Sequence, residues 1–109
     1  MAQFEDLDVW KRAARLSTEL YKYFQSSKDY GFRDQITRSG LSIPSNIAEG
    51  YERDTAKDRT KFLTYAKGSC GELRTQIYIG MIMGLRFVIT MNRAHHRCKE
   101  EKLYLCRNK

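Results

Sequence analysis

Apolar residues in this chain recur at alternating steps of four and three along three successive stretches, and this period constrains the fold more than any other feature. In the first stretch Val9, Ala13, Leu16, Leu20 and Tyr23 share one face, with Trp10, Ser17, Tyr21 and Phe24 beside them. Lys11, Arg15 and Lys22 fall opposite. Such a stripe on a turn of about 3.6 residues is an amphipathic helix, predicted over about 6–24, with Asp6 or Asp8 placed to cap its start. Ser26, Ser27, Lys28, Asp29 and Gly31 then mark a turn.

Ile36, Gly40, Ile43, Ile47 and Tyr51 repeat the spacing and predict a second helix over about 32–53. Pro44 lies inside it, removing a backbone donor and crowding the preceding turn. One reading is a single helix kinked at Pro44; the other is a stop near Leu41 and a restart capped by Ser42 or Ser45. The apolar phase runs through the proline, which favours the first. Gly50 and the run Glu52, Arg53, Asp54 give a polar break. A third helix follows over about 55–80, with Phe62, Ala66, Cys70, Leu73, Ile77 and Gly84 in one stripe. Residues 66–71 are almost all small, and two glycines in a helix cost about 1 kcal/mol each relative to alanine. That cost points to close packing there, against a neighbouring helix or a second subunit.

Three amphipathic helices on short connections make an up-and-down bundle, which needs a fourth helix to close its core. The expected fold is therefore all-α, an antiparallel up-and-down four-helix bundle, with residues 1–80 as its recognisable part. In residues 81–109 the fourth helix is not recognisable, because Leu85, Phe87, Val88, Ile89 and Met91 make no sustained stripe. A bundle without its closing helix should expose the apolar faces of helices one and three.

With 109 residues, 41% hydrophobic and 30% charged, the chain is expected to be one folded domain, and its single proline suits long helices. The acidic start, MAQFEDLDVW, is unlike a secretory leader. The apolar run from Ile77 to Ile89 is too short and too interrupted to span a bilayer. Cys70, Cys98 and Cys106 are an odd number without framework spacing, which suits free thiols in a reducing compartment. A cytoplasmic protein with no membrane partner is expected. The formal charge of +7 points to a polyanion, but it divides unevenly: +2 up to Gly80 and +5 from Met81 onward.

The chemistry-bearing residues are sparse. Ser42, Ser45, Asn46 and Glu49 surround Pro44, yet a nucleophilic serine needs a base in reach, and the first eighty residues hold no histidine. These side chains are expected to satisfy backbone groups loosened by the proline. Glu49 and Glu52 read as a solvated helix face. His95, His96 and Cys98 have metal-ligand chemistry without zinc-site spacing, and no glycine-rich phosphate loop follows a strand. No catalytic residue, metal or cofactor is therefore expected. Trp10, Phe24 and Phe62 read as core, whereas Tyr21, Tyr23 and Tyr65 are other aromatics that could stack on bases. The candidates for phosphate contact are Lys11, Arg12, Arg15, Arg38, Arg53, Lys57, Arg59, Lys61, Lys67 and Arg74.

Three stretches carry a family resemblance: FEDLDVWKRAARLSTELY at 4–21, YGFRDQITRSGLSIPSNIAEGYER at 30–53 and KFLTYAKGSCGELRTQIYIG at 61–80. Together they resemble the 23S rRNA intervening-sequence proteins, also called the four-helix-bundle protein family, which include relatives of retroelement accessory variability proteins. SIPSNIAEG at 42–50 is the most specific signature. The resemblance implies an antiparallel four-helix bundle, homo-oligomers that are often pentameric rings, and no established catalytic residues. It also implies a basic surface that in some relatives binds RNA or DNA, or a reverse-transcriptase-type protein partner. Two departures stand out: Gly71 replaces a usual alanine, and the family's fourth helix is not legible after Gly80. A shifted reading frame near Met81 accounts for the second departure, and a divergent C-terminus is the alternative. Translating the coding DNA in the other two frames distinguishes them.

The expected function is a non-enzymatic, oligomeric helical bundle that binds nucleic acid, RNA favoured, through its basic surface. The alternative is a protein-interaction scaffold without a nucleic-acid role of its own.

Overall fold

The structure is a computed structural model, and it describes residues 3–83, 93 and 96–102. A short 3-10 turn, Phe4–Asp6, leads into α1 (Asp8–Phe24), α2 (Tyr30–Tyr51) and α3 (Ala56–Ile82). Residues 96–102 are helical as well, and no strand occurs among the described residues.

Local chemistry sets the boundaries. The Asp6 carboxylate accepts from the Gln3 amide at 3.1 Å, so it closes the 3-10 turn and does not cap α1. α1 instead starts after an extended Leu7, with Asp8 in its first turn where the helix dipole favours an acid. Asp29 accepts from the Phe32 amide at 3.3 Å and starts α2 two residues before the apolar period indicates. Thr55 caps α3 by accepting from the Asp58 amide at 3.1 Å. α2 is one unbroken helix through Pro44, so the stop-and-restart reading is set aside. The hydroxyls of Ser42 and Ser45 donate to the carbonyls of Ser39 and Leu41, and the Asn46 amide donates to Ser42. These three side chains serve the backbone around the proline.

The three stripes meet as their spacing predicts. Ala13, Leu16 and Leu20 from α1, Ile36, Ile43 and Ile47 from α2, and Ala66, Cys70, Leu73 and Ile77 from α3 are all buried. Trp10 and Tyr23 pack at the core's edge, Phe24 is inside it, and Tyr51 is exposed at the end of α2. α2 packs against both α1 and α3, whereas α1 and α3 do not approach each other closely. They occupy opposite corners of a bundle 44 Å long and about 20 Å across, matching the length of about 40 Å that 27 helical residues span.

Two expectations are corrected here. Residues 96–102, where no fourth helix was legible, are helical and lie between α1 and α3. Arg97 pairs with Glu19 and Glu100 with Arg12 on the α1 side, and the Cys98 thiol donates to the Cys70 carbonyl of α3 at 3.0 Å. The apolar faces of α1 and α3 are therefore covered. The segment escapes a hydropathy reading because its two buried positions are Cys98 and Glu101, one helical turn apart and neither a large aliphatic. Leu85, Phe87, Val88, Ile89 and Met91, with Gly84, His95 and Cys106, lie outside the described residues.

The second correction concerns close packing by a neighbouring helix of the same chain, one of the two partners expected at residues 66–71. A Cβ built on Gly68 or Gly71 would meet nothing within 4 Å, whereas one on Gly40 would sit 2.5 Å from Leu20 Cδ1. At Gly50 it would lie 2.9 Å from Phe62 Cβ. Gly50 is thus not a break; it sits inside α2 and admits Phe62 of α3.

Candidate nucleic-acid interface

The α2–α3 corner gathers the densest set of predicted contacts. Every residue from 51 to 61 is exposed, because the chain reverses here beyond the end of the core. Arg53 pairs with Glu49 at 2.8 Å, one helical turn back, and its guanidinium lies 4.7 Å from the Phe62 ring centroid. Arg59 donates from Nε to the Arg53 carbonyl at 2.9 Å, tying the start of α3 to the end of α2. Lys61 hovers 6.0 Å from the ring centre of Tyr65, and Lys57 makes no ion pair with another described residue. Glu52, Asp54 and Asp58 are interspersed among these cations, so the corner is mixed in sign with a slight positive balance.

A second group lies on α1. Arg12 and Arg15 line a cavity of about 170 Å³ with Leu16, Arg97, Glu100 and Glu101. Arg12 bonds Glu100 at 2.8 Å and approaches Glu101 at 3.7 Å, so much of its charge is met within the fold. Lys11 is exposed on the same helix. The remaining candidates are scattered: Arg38 is exposed on α2, and Lys67 and Arg74 are half-buried on α3. The Arg74 Nε is buried without a hydrogen-bond partner among the described residues. The ten cations therefore form two local groups and three isolated positions, and in a single chain they do not make one continuous stripe.

Glu101 is the least conventional charge among the described residues. Its side chain is 2% exposed, and neither carboxyl oxygen has a hydrogen-bond partner among the described residues. Burial pushes its pKa up to about 7, opposed by the Arg12 guanidinium and reinforced by Glu100. Sequence reasoning missed it, since a glutamate in a KEEK run reads as a solvated face. Arg97 and the buried Cys70–Cys98 pair were missed for another reason: their partners lie 28 or more residues away in the chain.

Ligand chemistry elsewhere is limited. His96 bonds Glu100 at 2.9 Å while Cys98 turns inward to Cys70, so the two face different partners. Among the described residues no group of three histidine, cysteine or carboxylate side chains converges as a metal set. No helix among them is long and apolar enough to cross a membrane.

Comparison with known proteins agrees with the bundle geometry. The family model described as 23S rRNA-intervening sequence protein matches residues 5–105, running well past Met81. No curated protein matches the chain. The chain belongs to the 23S rRNA-intervening sequence protein family.

Proposed function

We propose that this member of the 23S rRNA-intervening sequence protein family is a non-catalytic, self-associating helical bundle that binds nucleic acid, RNA in preference to DNA, by electrostatic contact with the phosphate backbone. The observation that carries the reading is the wholly exposed α2–α3 corner, where Arg53, Lys57, Arg59 and Lys61 fall within nine residues beside the exposed ring of Tyr65. Two of those arginines are held in place by Glu49, Phe62 and a backbone carbonyl, so the corner is pre-ordered. One such corner offers few charges. Several copies in a closed assembly would offer them together, and a long polyanion would engage all of them at once.

Filter binding of single-stranded RNA across a salt series tests the proposal, with duplex DNA of equal length in parallel. The affinity should fall linearly on a log–log plot with added salt, and RNA should bind more tightly. Binding that ignores salt, or none at low salt, overturns it. The full chain has to be used, because residues 96–102 cover the core and a truncated chain would expose it and aggregate.

A protein-interaction scaffold is the second reading, including a polymerase-type partner of the kind the family resemblance suggests. The observation favouring it is the pair Gly68 and Gly71 on α3, where an added Cβ would meet nothing within 4 Å. Capture of a specific protein partner that survives nuclease treatment supports this reading over the first.

A further inference from the structure

We propose that Cys70 and Cys98 are a redox pair, able to close a disulfide that locks the C-terminal helical segment onto α3. Both side chains are fully buried, and they come from two elements separated by 28 positions in sequence. The Cys98 thiol donates to the Cys70 carbonyl at 3.0 Å, so it lies directly against the residue that carries the other thiol. That proximity, with burial and the nearby Glu101 carboxyl, raises the Cys70 thiol well above its ordinary range. While the segment is docked, the Cys70 thiol stays protonated and unreactive.

The arrangement gives the segment two unlike attachments. Toward α1 it is held by the ion pairs of Arg97 with Glu19 and of Glu100 with Arg12. Toward α3 its hold at this position is a weak thiol–carbonyl hydrogen bond, and the adjacent Glu101 is buried without a hydrogen-bond partner among the described residues. The dithiol form is therefore a releasable contact, and a covalent bond at the same place would make it permanent. The oxidant is a small disulfide such as oxidised glutathione. On partial opening of the segment, the Cys98 thiolate attacks one glutathione sulfur, breaking the glutathione disulfide and releasing one glutathione thiol. The Cys70 thiolate then attacks the Cys98 sulfur of the mixed disulfide, releasing the second. One sulfur–sulfur bond breaks and one forms, and the two protein protons end on the two glutathione thiols.

The test uses the full chain under native conditions with oxidised glutathione, followed by acid quenching, alkylation of remaining thiols and digestion without reductant. The expected product is a cross-linked peptide pair holding Cys70 and Cys98, in a protein lighter by two hydrogens. Its Tm should rise by about 10 °C and revert with dithiothreitol. Recovery of both cysteines alkylated, each carrying glutathione, or either joined to Cys106 overturns the proposal. A Cys106→Ser chain should retain the cross-link. A Cys98→Ser chain, with its helix content verified by circular dichroism, should lose the oxidant-dependent Tm rise, and a rise that persists also overturns the proposal.

Discussion

Glu101 shows how much one residue's environment can alter its behaviour. Its neighbours are Arg12 and Arg15 on α1, Cys70 on α3, and Arg97, Glu100 and Lys102 on its own segment. Burial raises the docked carboxyl from its ordinary 4.5 to about 7, so the docked form binds a proton more tightly than the released form. The stability that proton gives is complete below pH 4.5, is lost as the pH climbs towards 7, and changes no further above that. We expect the full chain to lose about 2 kcal/mol across this window, a figure already reduced for the cavity of about 170 Å³ beside the carboxyl, which admits water. Glu101→Gln should remove most of that slope. Urea unfolding at pH 5 and pH 8 for both proteins measures it, and an unchanged slope in the variant would rule Glu101 out as its source. None of this was legible in the sequence, where a carboxylate beside lysines has every reason to face water.

At the scale of helices the legibility reverses. The apolar period located all three long helices and their buried hydrophobic side chains, because a stripe of this kind can be hidden in only one way; it did not find buried Thr37, Ser39 or Gly50 on α2. The ends were displaced by about two residues, since caps such as Asp29 and Thr55 act through side-chain rotamers that periodicity does not encode. Within one chain the close approaches fall at Gly40 and Gly50 and not at Gly68 or Gly71, for a related reason: glycine spacing shows that a helix tolerates them but not which neighbour approaches. Gly68→Ala should stabilise the monomer by about 0.5–1 kcal/mol, because the added methyl meets nothing and the helix gains propensity. Gly50→Ala should destabilise it by about 1–2 kcal/mol against Phe62. Thermal unfolding of the pair checks both signs. Molar mass by light scattering adds a second readout: if the strip around Gly68 is a contact between copies, Gly68→Ala lowers the assembled mass while raising monomer stability.

For the whole molecule, closing the bundle is the decisive event. Deleting residues 96–109 should uncover Leu16, Cys70 and Leu73 and turn a discrete species into one that binds a hydrophobic dye and aggregates. A deletion chain that stays discrete and dye-free would show that the segment adds little to the core. RNA binding is better probed by charge than by truncation. Lys57→Gln and Arg38→Gln, both exposed and without an ion pair to another described residue, should each reduce the salt slope by about 0.7 if each contacts a phosphate. Arg12→Gln should cost stability as well as charge, because Glu100 and Glu101 would lose their partner.

The sequence by itself determined three amphipathic helices, their order, their core-facing residues and the family signature around Pro44. All of these are local, set by steps of three and four along one helix. Tertiary structure alone decided that residues 96–102 complete the bundle, that α1 and α3 sit diagonally apart, and that the basic residues divide into separate groups. Those outcomes rest on pairs such as Arg12 with Glu100 and Cys70 with Cys98, joined across 88 and 28 positions. A closing segment whose buried positions over 96–102 are a thiol and a carboxyl leaves no apolar period there, so only its partners across the core reveal where it belongs.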